Sequence, residues 1–201
     1  MTGWVEFLCD EPEGTEIVFQ FGEILQEEKF YNDNLRTAKE EYHYISNGKK
    51  VWVRPHFTFY GFRYMKVTGV KDVRLENFVG CVMHSEMERT GIIETSNPKV
   101  NQLVHNALWG QKGNFLDVPT DCPQRNERLG WTGDAQVFCK AASYNYDVLR
   151  FFKKWMKDVY AEQRNCGGLV PQVVPDVLKN NRPSAGWGDA AAVIPWQMYM
   201  T

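Results

Sequence analysis

Up to about residue 90, apolar positions recur with a period of two, the pattern of strands that bury one face. Trp4 to Leu8 alternates weakly, and Pro12 and Gly14 mark a turn over Asp10 to Gly14. Thr15 to Gly22 is rich in β-branched and aromatic residues and reads as a strand. Glu27 to Lys39 reads as a polar connection. Glu41 to Ser46 alternates again, and Asn47-Gly48 then predicts a tight hairpin turn with Lys50 to Arg54 as the return strand. Phe57 to Val67 alternates around Gly61, and Val73 to His84 supplies one or two further strands. Short strands with frequent turns predict a β-sandwich. Tyr60, Phe62 and Tyr64 form an aromatic run that could stack on a carbohydrate. The favoured reading places alternate members in the core, with Gly61 allowing a bulge or a close approach.

The period changes near residues 86 to 96. Ser96-Asn97-Pro98 combines a capping residue with proline at the first helical position. Val100, Leu103, Val104, Ala107 and Leu108 then repeat at helical spacing. A second helix is predicted from about Gly133 through Tyr146. A third runs from Asp147 to Gln163, with Leu149, Phe152, Met156 and Val159 as its core stripe, and Asn165 to Gly168 ends it. Leu169 to Asp176 holds two prolines and is no helix interior, and Lys179 to Gly188 is rich in turn formers. A fourth helix begins near Asp189, which suits an N-cap, and Pro195 interrupts or kinks it.

Between the first two helices lies DVPTDCPQRNERLGWTGDAQ, Asp117 to Gln136. Its prolines exclude a regular helix and it lacks strand alternation, so it reads as a long shaped loop. Ordered loops of this length are usually functional. A carboxyl beside an indole loses solvation and becomes a proton donor near neutrality, while a second carboxylate in a polar setting stays ionised. A Trp face packs on a sugar ring, and Asp side chains bind its hydroxyls. A salt-bridged, capped loop, with Asp134 favouring the helix dipole, explains the same residues structurally.

This stretch resembles the signature of the bacterial α-L-rhamnosidases, glycoside hydrolases with an (α/α)6-barrel catalytic domain. GWV…FGE, HFTFYGFRYMKVTG and VPQVVPDV…AGWGDAAAVIPW resemble the same family, so the likeness covers essentially the whole chain. The resemblance implies an accessory β-sandwich over residues 1–90 and the opening part of the barrel over residues 91–201. It implies Glu127 as general acid, with Asp121 and Asp134 binding rhamnose hydroxyls and Trp131 and Trp187 in the sugar pocket. Arg125 joins this substrate-binding set chiefly by orienting carboxylates. A salt bridge from Glu127 to Arg125 or Arg128 is the structural alternative. The family's usual QRDERLGW reads QRNERLGW here, so Asn126 removes a charge beside Glu127. Inversion needs a second carboxylate ~6.5–9.5 Å across the scissile bond, and the resemblance places that base later than residue 201. About four helices after residue 90 do not complete a barrel, so the expectation is an inactive fragment of a rhamnosidase. A sugar-binding protein without catalysis, or a truncated remnant, stays open beside it.

Composition changes this picture little. A formal charge of −2 gives neither a basic nucleic-acid footprint nor an acidic tail. Aromatics at 14% suit sugar stacking or a large core equally. No run reaches the ~20 apolar residues of a membrane span, and the acidic start lacks a signal peptide's pattern, leaving the cytoplasm as the default expectation. Five scattered cysteines and four dispersed histidines predict no disulfide framework, metal site or cofactor. A nucleophilic role for Cys122 is disfavoured because no His lies near it in sequence. The expected partner is a rhamnose-containing glycoside. The apolar helix faces of an unfinished barrel also predict self-association into a homo-oligomer.

Overall fold

The computed structural model describes residues 1–179 and 183–201. Part of the polar stretch from Lys179 to Gly188 therefore lies outside the described residues. The chain divides into two compact units, residues 1–83 with 122–127, and residues 84–121 with 128–201. The order is β structure followed by α structure, as the change of period predicts.

The first unit holds two principal sheets. β1 (Thr2–Cys9) is central in one, with β9 (Phe78–Val82) along one edge and β6 (Val51–Val53) and β7 (Tyr60–Gly61) along the other. In the second sheet β2 (Glu16–Gly22) lies between β5 (Glu41–Ile45) and β8 (Tyr64–Thr68). All these pairings are antiparallel. Val5, Phe7 and Cys9 alternate inward from β1, and Ile17, Phe19 and Phe21 from β2, into one shared core. Phe7 and Phe19 meet at 4.6 Å between ring centroids, and Phe21 stacks on Tyr60 at 4.1 Å. Each such side chain contributes about 1.5–3 kcal/mol by burial. Tyr60 and Phe62 are thus core residues, and Tyr64 is half-buried.

Asn47-Gly48 does turn the chain, but it does not make the predicted hairpin. β5 pairs with β2 and β6 with β1, so the turn carries the chain from one sheet to the other. The cause lies in Ser46, whose buried hydroxyl donates to the Glu11 carbonyl at 2.7 Å and whose amide donates to the Thr15 carbonyl at 2.9 Å. These bonds hold the end of β5 to the β1–β2 connection instead of to β6. The predicted single strand from Phe57 to Val67 likewise splits, β7 joining β1 and β8 joining β2.

The polar connection from Glu27 to Lys39 is more ordered than predicted. β3 (Ile24–Gln26) and β4 (Lys29–Tyr31) form a hairpin, followed by a 3-10 turn over Asp33–Leu35. Its two central residues, Glu27 and Glu28, both have positive φ, at 50° and 61°. That geometry normally announces itself through Asn-Gly; two glutamates give no such signal.

On the exposed side of the second sheet, His43 Nδ1 lies 2.9 Å from Glu16 Oε1, and Nε2 lies 3.6 Å from Glu41 Oε1. The hydrogen bond to Glu16, helped by Glu41, raises the imidazole's pKa above its ordinary value. A raised folded-state pKa adds stability at pH values below the ordinary histidine value and loses it as pH rises through the folded value. An NMR titration of His43 is expected to give a pKa above that of a free histidine. His43→Gln should flatten the small decline in melting temperature between about pH 5.5 and about pH 8.

The second unit begins with α1 (Pro98–Asn114), whose N-cap Asn97 accepts from the Lys99 amide at 3.0 Å. β10 (Phe115–Leu116), β11 (Val118–Asp121) and β12 (Leu129–Gly130) form a small antiparallel sheet, then come α2 (Thr132–Asn145), α3 (Leu149–Asn165) and α4 (Ala190–Met200), with Pro195 inside α4. Phe151, Phe152, Trp155, Met156 and Val159 of α3 pack with Phe115, Cys139, Ala142, Val174 and Ile194. Two predictions are corrected here. Leu149 is exposed, and Phe151 and Trp155 share the buried face instead. The apolar stripe of α1 is also largely uncovered, with Leu103 exposed and only Leu108 and Gln111 buried. Among the described residues, no helix is long and apolar enough to cross a membrane.

Candidate active site

The stretch predicted as one long loop is a hairpin. Thr120 pairs with Gly130 and Asp121 with Leu129, leaving residues 122 to 128 as its tip. Alternation misses these strands because each is only two to four residues long. Pairing, not side-chain pattern, defines them. Asp117, Cys122 and Arg128 take positive φ of 65°, 54° and 57°, although none is glycine. Such disfavoured backbone persists only where surrounding contacts over-determine it, and it clusters at functional sites. Asp117 itself is an exposed ion-pair partner, 2.9 Å from Lys154 Nζ.

Residues 122–127 of the tip belong to the first unit. Gly61 permits this, since a Cβ there would stand 2.7 Å from the backbone nitrogen of Gln124. Glu127 has a side chain only 13% exposed, and its Oε2 lies 3.1 Å from Arg125 Nη2 and 3.1 Å from Arg36 Nη1. The predicted salt bridge to Arg125 is therefore present, and a second guanidinium that the motif does not contain joins it. Arg125 also donates through Nη2 to Cys122 Sγ at 2.8 Å, and its buried Nε meets no partner among the described residues. Asn126 donates from Nδ2 to the Thr37 hydroxyl. An aspartate at this position would accept from the Thr37 hydroxyl instead, so the exchange reverses the direction of the bond.

The remaining predicted residues lie in the second unit. Asp121, at the end of β11, and Asp134, in the first turn of α2, line one open cavity of about 300 Å³ with Asn114, Phe115, Thr120 and Phe138. The helix N-terminus favours negative charge at Asp134. Trp131 is half-buried at the start of α2 and forms a backbone bridge with Val173. The next residue, Thr132, fixes that position, its Oγ1 donating to the Gln172 carbonyl at 3.0 Å and its amide donating to the same carbonyl at 2.9 Å. Trp187 lies against Gly133, where an added Cβ would stand 2.9 Å from the indole. Asp134 and the two tryptophans thus gather at the start of α2. Asp189 holds the N-cap position of α4 but makes no side-chain cap.

In chain order a sheet region is followed by a helical region, and the hairpin of β11 and β12 concentrates carboxylates and guanidinium groups beside Trp131. Residues 1–84 match the bacterial alpha-L-rhamnosidase concanavalin-like domain, and residues 88–201 match the bacterial alpha-L-rhamnosidase 6 hairpin glycosidase domain. The chain belongs to the bacterial alpha-L-rhamnosidase family. It is 45% identical over 192 residues to an alpha-L-rhamnosidase of Formosa agariphila, covering 92% of this chain and 20% of that protein. The crystal structure of an Aspergillus terreus rhamnosidase is similar at a TM-score of 0.95 and 39% identity, over 99% of this chain and 24% of that one. A Streptomyces avermitilis alpha-L-rhamnosidase, solved in complex with L-rhamnose, is similar at 0.93 and 40% identity, over 99% of this chain and 20% of that one. The chain spans about a fifth of the length of the curated relatives it matches.

Proposed function

We propose that the complete protein removes terminal α-L-rhamnose from rhamnosides with inversion of configuration, and that Glu127 is the general acid. The observation that carries this reading is the Glu127 carboxyl itself, set on a hairpin tip, largely withdrawn from water and fixed through one oxygen by two guanidinium groups. Membership of the rhamnosidase family supplies the reaction class. In the reaction the Glu127 O–H bond breaks as its proton passes to the glycosidic oxygen, and the bonding pair between that oxygen and the anomeric carbon leaves with the aglycone. Water adds to the opposite face of the oxocarbenium-like centre and loses its proton to a second carboxylate, which we place outside these 201 residues.

Asp121 and Asp134 bind rhamnose hydroxyls from the cavity they share, and Trp131 and Trp187 form the sugar's apolar walls. We read residues 1–90 as an accessory β-sandwich and residues 91–201 as the opening part of an (α/α)6 barrel. The Streptomyces relative was solved with L-rhamnose, the sugar proposed here. Proton NMR of the complete protein acting on an aryl α-L-rhamnoside is expected to show β-rhamnose as the first product, and no turnover by the 201-residue chain alone. The α-anomer appearing first, or no release of rhamnose, would overturn the reading.

A further inference from the structure

We propose that Arg36, supported by its neighbour Thr37, is a positioning residue for Glu127, so that the sheet unit fixes the carboxyl of the proton donor. The inference rests on the acid role proposed for Glu127 and adds to it a group 91 positions earlier in the chain.

Three observations converge on the segment after the 3-10 turn. Leu35 is 1% exposed and anchors the turn in the first unit. Arg36 then takes φ 61° and ψ −121°, a conformation that glycine adopts freely and a residue with a Cβ resists. An arginine occupies it, and its Nη1 donates to Glu127 Oε2 at 3.1 Å. Thr37 meets the adjacent tip residue through the bond from Asn126. The tip is therefore tied at two consecutive positions to two consecutive residues of the sheet unit.

The choice of oxygen gives this tie a consequence for proton transfer. Arg36 and Arg125 both meet Oε2. An oxygen accepting two charge-assisted hydrogen bonds carries the carboxyl's negative character, so the transferable proton belongs on Oε1. Two donors on one oxygen also fix the rotation of the carboxyl plane, and with it the direction in which the Oε1 proton points. Loss of Arg36 removes one of these two bonds. A misdirected proton slows a reaction in proportion to how much the leaving group needs protonation. An alkoxide leaving group needs it most and a nitrophenolate least.

The test compares an alkyl α-L-rhamnoside with 4-nitrophenyl α-L-rhamnoside in the complete polypeptide. Arg36→Gly removes the guanidinium while relieving the disfavoured backbone, so the fold is retained, which a thermal melt checks. Its kcat on the alkyl substrate is expected to fall about 10–100-fold, and on the nitrophenyl substrate less than about 3-fold, with KM little changed. Arg36→Lys, which restores one cationic donor, should recover most of the loss. An equal loss on both substrates, no loss on either, or no rescue by Arg36→Lys overturns the inference. Glu127→Gln separates the two levels. If it discriminates between the substrates while Arg36→Gly does not, only the inference about Arg36 falls. If Glu127→Gln itself fails to discriminate, the acid role falls and takes this inference with it.

Discussion

Replacing Glu127 by glutamine in the complete polypeptide is expected to lower kcat for alkyl α-L-rhamnosides by about 10²–10⁴-fold, the usual contribution of a positioned general acid. Glutamine matches the carboxyl in shape, and its amide oxygen can still accept from Arg36 and Arg125, the two guanidinium groups 3.1 Å from Oε2. What it lacks is a proton that can be given away. KM should change little, because the proposed hydroxyl contacts come from Asp121 and Asp134. Steady-state kinetics on the purified variant check this, and turnover within a few-fold of the parent would remove Glu127 from the mechanism.

Trp155→Ala carries the largest expected effect on stability. The indole is 0% exposed at the centre of the helical core, and its Nε1 donates to the Val174 carbonyl at 3.2 Å. Truncation leaves a large cavity and costs about 3–5 kcal/mol. It also leaves a buried carbonyl without its donor, which adds to the loss. At ~2–4 °C per kcal/mol for a chain of this size, the melting temperature should fall by roughly 10 °C or more. Two units need not unfold together, so the shift is best followed by near-ultraviolet circular dichroism alongside the melt. Trp155→Phe, which keeps most of the volume, should lie well between the two. A fall of only a degree or two for the alanine variant would mean that the core closes over the gap.

The sequence made strand and helix periods legible where one face is buried. β1, β2 and α3 show this through Phe7, Phe19 and Phe152, all almost fully buried. Asn97 and Pro98 announced the start of α1 correctly, because capping depends on residues adjacent in the chain. What could not be read is what depends on distant partners. Asn47-Gly48 marks a turn, but nothing local says which sheet the next strand joins. The turn at Glu27-Glu28 has the required φ values without the residues that usually supply them. At the candidate site, the motif drew attention to Glu127, Asp121, Asp134 and Trp131 through its dense mixed chemistry, and the later AGWGDA segment drew it to Trp187. Arg36 and Thr37 gave no such signal, since they lie far outside the motif in an ordinary polar stretch.

The two matched family regions part between residues 84 and 88, whereas the compact units exchange residues 122–127 across that boundary. Recombination at residue 85 would therefore not be a clean modular swap. A foreign sheet region placed before residues 88–201 would have to supply its own equivalents of Arg36, Thr37 and the Gly61 surface for the transplanted tip. A library of such chimeras should succeed or fail according to those three positions more than by overall identity. In engineering terms, the proposed proton donor is inherited with the preceding module, although its codon lies in the next.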